Sequence, residues 1–190
     1  MSASNADPHP DQFAHSFAPI ENPKARVLIL GSMPGVASLR AGQYYAHPRN
    51  QFWPIMAALL NIDLPALPYA QRVIDLTQNG IALWDVLKSC QRPGSLDADI
   101  APETAIANEI APFFARHRHL THVFFNGAAA EKHYNRQVRR RIAVPPFLSL
   151  PTLQFQRLPS TSPAHAAQDF SEKLATWRTI TDILHRSFKP

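Results

Sequence analysis

Four short apolar segments, each running into a glycine, a proline or a small polar residue, constrain this chain more than any other feature. Arg26-Val27-Leu28-Ile29-Leu30 ends in Gly31, and Ile81-Ala82-Leu83-Trp84 in Asp85. Thr121-His122-Val123-Phe124-Phe125 ends in Asn126-Gly127, and the run Leu153 to Leu158 is stopped by Pro159. The first reads as a buried strand by length and composition, and the other three as strands. Between them the period changes to that of a helix. Phe52, Ile55, Met56, Leu59 and Leu60 form one apolar stripe, with Asn50 placed to cap its start. Further helices are predicted over Tyr69–Gln78, Glu109–Arg118 and Ala128–Arg140, and a final one through Phe170, Leu174, Trp177, Ile180 and Leu184. Strands alternating with helices imply right-handed crossovers. The predicted fold is therefore α/β, with three α/β/α layers around a central four-stranded parallel sheet.

The remainder is expected to be loop or tail. Ser32 to about Asn50 is punctuated by glycine and proline, and Asp85 to Asp97 contains Arg92-Pro93-Gly94-Ser95. The polar N-terminus reads as a tail over residues 1–16, with Phe13, Phe17 and Ile20 packing its end onto a single domain over 17–190. At 190 residues the chain needs no covalent staple. Its single cysteine, Cys90, excludes an intrachain disulfide and a cysteine-ligated cluster, and favours a reducing, cytoplasmic setting. No apolar run reaches the ~20 residues of a membrane span, and nothing at the start resembles a signal peptide. Nineteen basic against 14 acidic residues leave a net charge of +5, which suits a polyanionic partner without requiring one.

In open parallel sheets, ligands sit beyond the carboxyl ends of the strands. Those ends are Gly31-Ser32, Asp85, Asn126-Gly127 and Ser160-Thr161-Ser162, so chemistry is expected along one edge. Gly31-Ser32-Met33-Pro34-Gly35 lacks the lysine of a Walker loop and the third glycine of a dinucleotide fingerprint. Ser160 and Ser162 stand in no GxSxG elbow. His117, His119 and His122 lack a thiolate or carboxylate companion, so no metal and no cofactor is expected. Lys132, Arg136, Arg139, Arg140 and Arg141 form a basic cluster, read first as a solvated helix face and second as a phosphate track.

The segment Gly42-Gln43-Tyr44-Tyr45-Ala46-His47-Pro48-Arg49-Asn50-Gln51-Phe52-Trp53, following Gly31-Ser32-Met33-Pro34-Gly35, resembles the first motif of the uracil-DNA glycosylase superfamily. Leu158-Pro159-Ser160-Thr161-Ser162-Pro163-Ala164 resembles its second motif. Leu83-Trp84-Asp85-Val86-Leu87, the stretch from Cys90 to Asp97, and Phe124-Phe125-Asn126-Gly127 are most like the hypoxanthine-DNA (deoxyinosine) glycosylase branch. The resemblance implies a DNA partner carrying a deaminated base, with Asn50 as the catalytic residue. It departs at Met33, where other branches carry Asn or Asp, and at Leu158, where several carry His.

Such an enzyme flips the target base from the duplex and cuts its N-glycosidic bond. A base pocket is expected from Gly31, Ser32, Met33, Pro34, Gly35, Tyr45, Phe52 and Asn126. One carboxamide offers an acceptor beside a donor, so Asn126 is expected to read the N–H and C=O edge that hypoxanthine and uracil share. Asn50, unable to take a proton, is expected to position a water. Ser160, Thr161, Ser162, Pro163 and His165 are expected at the DNA backbone or in the vacated stack. Asp85 is expected to support a water or a loop. With no lysine near the motifs, the expected enzyme is a monomeric, monofunctional hydrolase. The alternatives are a G:U/T mismatch-specific uracil glycosylase, a non-catalytic binder of damaged bases, and a nucleotide hydrolase.

Overall fold

A computed structural model describes residues 13–142 and 153–185. In chain order the elements are β1 (Phe13–His15), β2 (Val27–Gly31), α1 (Val36–Ala41), α2 (Phe52–Leu60), α3 (Tyr69–Gln78), β3 (Ile81–Asp85) and β4 (Leu87–Gln91). There follow β5 (Ile106–Ala107), α4 (Ile110–Arg116), β6 (His122–Asn126), α5 (Ala128–Gln137), α6 (Arg139–Ile142), β7 (Gln154–Leu158), α7 (Phe170–Trp177) and α8 (Thr179–His185).

The main sheet has four strands in the order β3-β2-β6-β7, every neighbouring pair parallel. Alternate residues of β2 point to opposite faces, and both faces are covered. Leu28 and Leu30 join Trp84, Phe113, Val123 and Phe125 in one core. Val27 and Ile29 join Phe52, Ile55, Leu76, Phe124 and Trp177 in the other. Helices therefore lie on both sides, as a parallel sheet buried on both faces requires. The chain leaves β2 for β3 on one side and returns to β6 on the other, so the strand order reverses at β2. That reversal opens a crevice at the carboxyl ends.

Four expectations need correction. Phe13–His15, assigned to the tail, pairs antiparallel with β4, while residues 1–12 lie outside the described residues. The stretch from Asp85 to Asp97, read as mostly loop, contains β4, which also pairs with β5 in a second, three-stranded sheet. The Pro-Gly signal proves local to residues 92–95; upstream of it Leu87, Ser89 and Cys90 are buried. The final helix is two, α7 and α8, meeting at Arg178. The loop from Ser32 to Asn50 also holds the six-residue α1, which ends at Gly42.

Gly127 joins β6 to α5 with φ of 97°, and a Cβ there would stand 2.8 Å from that of Ser160. Gly127→Ala combines left-handed strain with overlap against the loop after β7. It is expected to destabilise by about 1–3 kcal/mol, lowering Tm by roughly 2–10 °C in thermal denaturation.

Candidate functional site

The four parallel strands deliver Gly31, Asp85, Asn126 and the Ser160–Pro163 loop to one cleft. Its walls also include Ser32 to Gly35, Tyr44, Tyr45, His47 and Asn50. Its interior offers about 130 Å³ to the centre of a water molecule. One water needs roughly a tenth of that, so the hollow is large enough for a small organic ligand. Gly31 is required at the floor, because any Cβ would overlap Oδ1 of Asp85.

Asn50 is fixed from two sides. Its backbone N–H donates to the His47 carbonyl at 2.8 Å, and its Oδ1 accepts from Phe52 N–H at 3.0 Å. The helix cap proper is Gln51, so Asn50 caps from one residue farther out than expected. A carboxamide oxygen has a second lone pair, which remains available toward the cleft. Gln51 in turn donates its backbone N–H to the Thr161 carbonyl at 3.0 Å, stitching this turn to the loop after β7.

Tyr45 adopts a left-handed backbone, φ of 55°, a conformation that costs a non-glycine residue about 1–3 kcal/mol. Its ring stacks on Phe52 with centroids 4.0 Å apart. Phe52 itself is fully buried, with Trp53 and Trp177 against its edges, and does not line the cleft. The expectation that Phe52 forms the pocket wall is thus corrected: it backs Tyr45, which does.

Asn126 lies in the cleft wall, but its amide faces protein partners. Thr161 N–H can only donate, and it meets Asn126 Oδ1 at 2.9 Å, which fixes the orientation of the carboxamide. Nδ2 then donates to Tyr45 Oη at 3.1 Å and to Thr161 Oγ1 at 2.9 Å. Both N–H donors are engaged, so the donor that base reading requires of Asn126 is not free. Asn126 is instead the strut joining β6, Tyr45 and the loop after β7.

In that loop Ser160, Thr161, Ser162 and Pro163 line the cleft. His165, expected at the DNA backbone or in the vacated stack, does not line it. Its side chain faces a separate hollow beside Gly127, Leu158 and Ala167, because the turn closed by His165 N–H on the Ser162 carbonyl carries it past the cleft. Its carbonyl is held by Lys173, a residue the sequence reading overlooked. Lys173 is 2 % exposed and its Nζ donates to Gln51 Oε1 at 2.9 Å and to His165 O at 2.8 Å. Burial lowers its pKa. The available signal was position: residue 173 falls on the same helical face as Phe170, Leu174 and Trp177, a cation within an apolar stripe.

The basic cluster is remote from all this. Helix α5 begins at the cleft and runs about 15 Å away from it over its ten residues, so Arg136, Arg139 and Arg140 lie exposed at the far end. The side chain of Arg141 lies outside the described residues. His117 is buried, its Nδ1 2.9 Å from the Phe113 carbonyl and its ring stacked on Phe113. Among the described residues no group of three or more His, Cys, Asp or Glu is arranged to hold a metal ion.

Asp85 is a strongly perturbed acid at the cleft, where burial also raises the hydroxyls of Tyr44 and Tyr45. It is 3 % exposed, and burial pushes its carboxyl up to about 7. A hydrogen bond from Ser16 Oγ to Oδ2, at 3.2 Å, opposes this; the charge of Asp97 adds to it and that of Arg92 offsets it. Ser16 reaches Asp85 because β1 pairs with β4, so a residue assigned to the tail completes the site. Since folding raises this carboxyl above its ordinary 3.8, the folded state holds the extra proton between those values. Stability from this group is then greatest at low pH, declines from about 4 to about 7, and is level above. Asp85→Asn removes the dependence. It is expected to stabilise the protein by about 1–4 kcal/mol at pH 8, with the gain vanishing toward pH 4, as measured by denaturant unfolding across pH.

Comparison with known proteins fits this geometry. Residues 18–182 match the family model described as the uracil DNA glycosylase superfamily. A protein of Methanosarcina barkeri named hypoxanthine DNA glycosylase is 38 % identical over 115 residues, covering 58 % of this chain and 69 % of its own length. A protein of the same name from Methanosarcina acetivorans is 37 % identical over 87 residues, or 46 % of this chain and 55 % of its own. The solution NMR structure of a Methanosarcina acetivorans protein assigned as a uracil DNA glycosylase superposes with a TM-score of 0.74 at 27 % identity, covering 92 % of this chain and 99 % of that one. With the family match spanning nearly all the described residues, and the fold and cleft arranged as above, this chain belongs to the uracil DNA glycosylase superfamily.

Proposed function

We propose that this protein is a DNA repair glycosylase that flips hypoxanthine out of a duplex and hydrolyses its N-glycosidic bond, leaving an abasic site. The observation that carries the reading is the position of Asn50: a rigidly held side-chain carbonyl beside a cleft walled by Tyr45, Asp85, Asn126 and Thr161. The relatives named hypoxanthine DNA glycosylase support the same substrate.

In this reading the C1′–N9 bond breaks with its electron pair going to the base, and the sugar becomes an oxocarbenium ion. A water held by Asn50 Oδ1 bonds to C1′ from the exposed face. Asn50 cannot take the water's proton, which leaves to solvent or to the departing base once the C–O bond forms. The rate enhancement then comes from orientation and preorganised electrostatics rather than a strong base. Lys173 supports hydrolysis without lyase chemistry, since its amine is tied to Gln51 and His165 and does not line the cleft.

Single-turnover release of hypoxanthine, uracil and thymine from duplexes with each opposing base tests the reading. Hypoxanthine is expected to be released fastest, and Asn50→Ala to reduce that rate by at least ~10²-fold with duplex affinity unchanged. Tight binding of a deoxyinosine duplex without base release would instead establish a non-catalytic binder. Release of uracil or thymine alone would establish the mismatch-specific alternative.

Phosphate contacts belong near the cleft mouth, where Arg49 is exposed beside Asn50. Arg49→Ala is expected to weaken binding to all duplexes alike and to reduce the slope of log affinity against log salt by about one. Arg139→Ala and Arg140→Ala, at the far end of α5, are expected to leave that slope unchanged in a salt titration by fluorescence anisotropy.

A further inference from the structure

A pocket that distinguishes one base from another needs a polar group with no protein partner already in place, and Asn126 has no free donor. Asp85 is the better placed group, although the Tyr44 hydroxyl as well as Ser16 hydrogen-bonds its carboxyl. Its Oδ2 accepts from Ser16 Oγ, while Oδ1 lies against the bare Cα of Gly31 at the cleft floor. Among the described residues no ion pair engages it. The groups around it are Ser16 after β1, Tyr44 and Tyr45 between α1 and α2, Arg92 at the end of β4, and Asp97 beyond it. Arg92 donates Nη2 to the Pro34 carbonyl, its Nε and Nη1 having no hydrogen-bond partner among the described residues, and Asp97 accepts from Ser32 Oγ at 2.6 Å. The carboxyl is left buried, with no ion pair to a cation.

We propose that Asp85, as an uncharged carboxylic acid, is the residue that reads the flipped base, its Oδ1–H donating to the O6 carbonyl of hypoxanthine. The inference rests on the glycosylase reading above and deepens it. The Ser16 hydroxyl has two acceptors in reach, Asp85 Oδ2 and the Phe17 carbonyl at 3.3 Å; when it donates to Oδ2, the proton of the neutral acid sits on Oδ1, and the group facing the cleft is a donor. Hypoxanthine presents a carbonyl there, as uracil does at O4. Adenine and cytosine present an amino group at the same place, and donor then meets donor in a buried site, which is how polar pockets reject near-isosteres. The same O–H faces the oxygen onto which negative charge spreads as the base departs. A neutral acid favours that departure, and an ionised one opposes it. Burial, which holds the proton on to about pH 7, keeps the acid neutral in the range where it is needed.

The test is single-turnover hypoxanthine release from a deoxyinosine duplex between pH 5.5 and 9, by wild type and by Asp85→Asn, whose amide donates at every pH. The ratio of wild-type to variant rate is expected to exceed one at pH 6 and to fall through pH 7 by up to tenfold per pH unit, below one by pH 9. A ratio independent of pH, or rising with it, overturns the proposal. Should Asp85→Asn fail to fold, duplex binding by Asn50→Ala decides. Its preference for deoxyinosine over deoxyadenosine is expected to shrink at least tenfold between pH 6 and pH 9, and a constant preference overturns the role of Asp85. Base release by wild type, lost in Asn50→Ala, together with a flat ratio would sink this inference alone. No release by wild type from any duplex would sink the glycosylase reading and this inference with it.

Discussion

The carboxamide of Asn126 makes three hydrogen bonds, and the shape of the cleft depends on them. They join the tip of β6 to the hydroxyl of Tyr45 and to both the backbone and side chain of Thr161. Thr161 then passes its carbonyl to Gln51, next to Asn50. Three segments far apart in sequence therefore meet through one side chain, and each is fixed relative to the other two. For a half-buried amide each of these bonds contributes about 0.5–1.5 kcal/mol, so the arrangement is favoured over nearby alternatives. The geometry around Asn50 is thus a consequence of how the sheet ends, and only secondarily of the helix that follows it.

Two buried ionisable groups flank this strut with opposite character. Lys173 has carbonyl oxygens on two sides, so its cation is solvated by the protein even without a carboxylate. Asp85 has only neutral hydroxyl donors, Ser16 and Tyr44, and no ion pair, so burial outweighs the solvation its anion receives. The first arrangement suits a permanent mechanical tie between the loops of Gln51 and His165. The second suits a group whose charge state changes when something enters the cleft. Sequence type alone would have ranked them the other way, since an isolated aspartate is usually charged and a helix lysine usually solvated.

Most of the layered fold could be read from period and punctuation. The four parallel strands fall within a residue or two of the predicted runs; β2, β3 and β6 are buried on both faces and have little freedom to be anything else, while β7 is an edge strand buried only at Leu158. The second sheet could not be read in this way. Its strands are two to five residues long, and β1 pairs with residues some 75 positions away, so no local pattern encodes it. The convergence of Gly31, Asp85, Asn126 and Ser160 followed from topology alone. Their individual duties did not. Phe52 and Tyr45 are both aromatic and near in sequence, and only packing against Trp177 decides which one is covered. Whether an asparagine at a strand tip reads a ligand or braces a loop depends on a threonine 35 residues later.

Tyr45 carries the remaining consequence. A strained backbone persists only where its surroundings over-determine it, and Tyr45 is held by the ring of Phe52 beneath it and the amide of Asn126 at its hydroxyl. The wall of the cleft is therefore built before any ligand arrives. Extracting a base from a duplex costs a few kcal/mol, and a pocket that also had to order its own wall would add to that cost. Strain held in the free protein removes the ordering step from binding. In the proposed reaction the stacked pair of rings, with its backbone distortion already in place, would let any stacking on the incoming base count in full toward keeping it out of the helix.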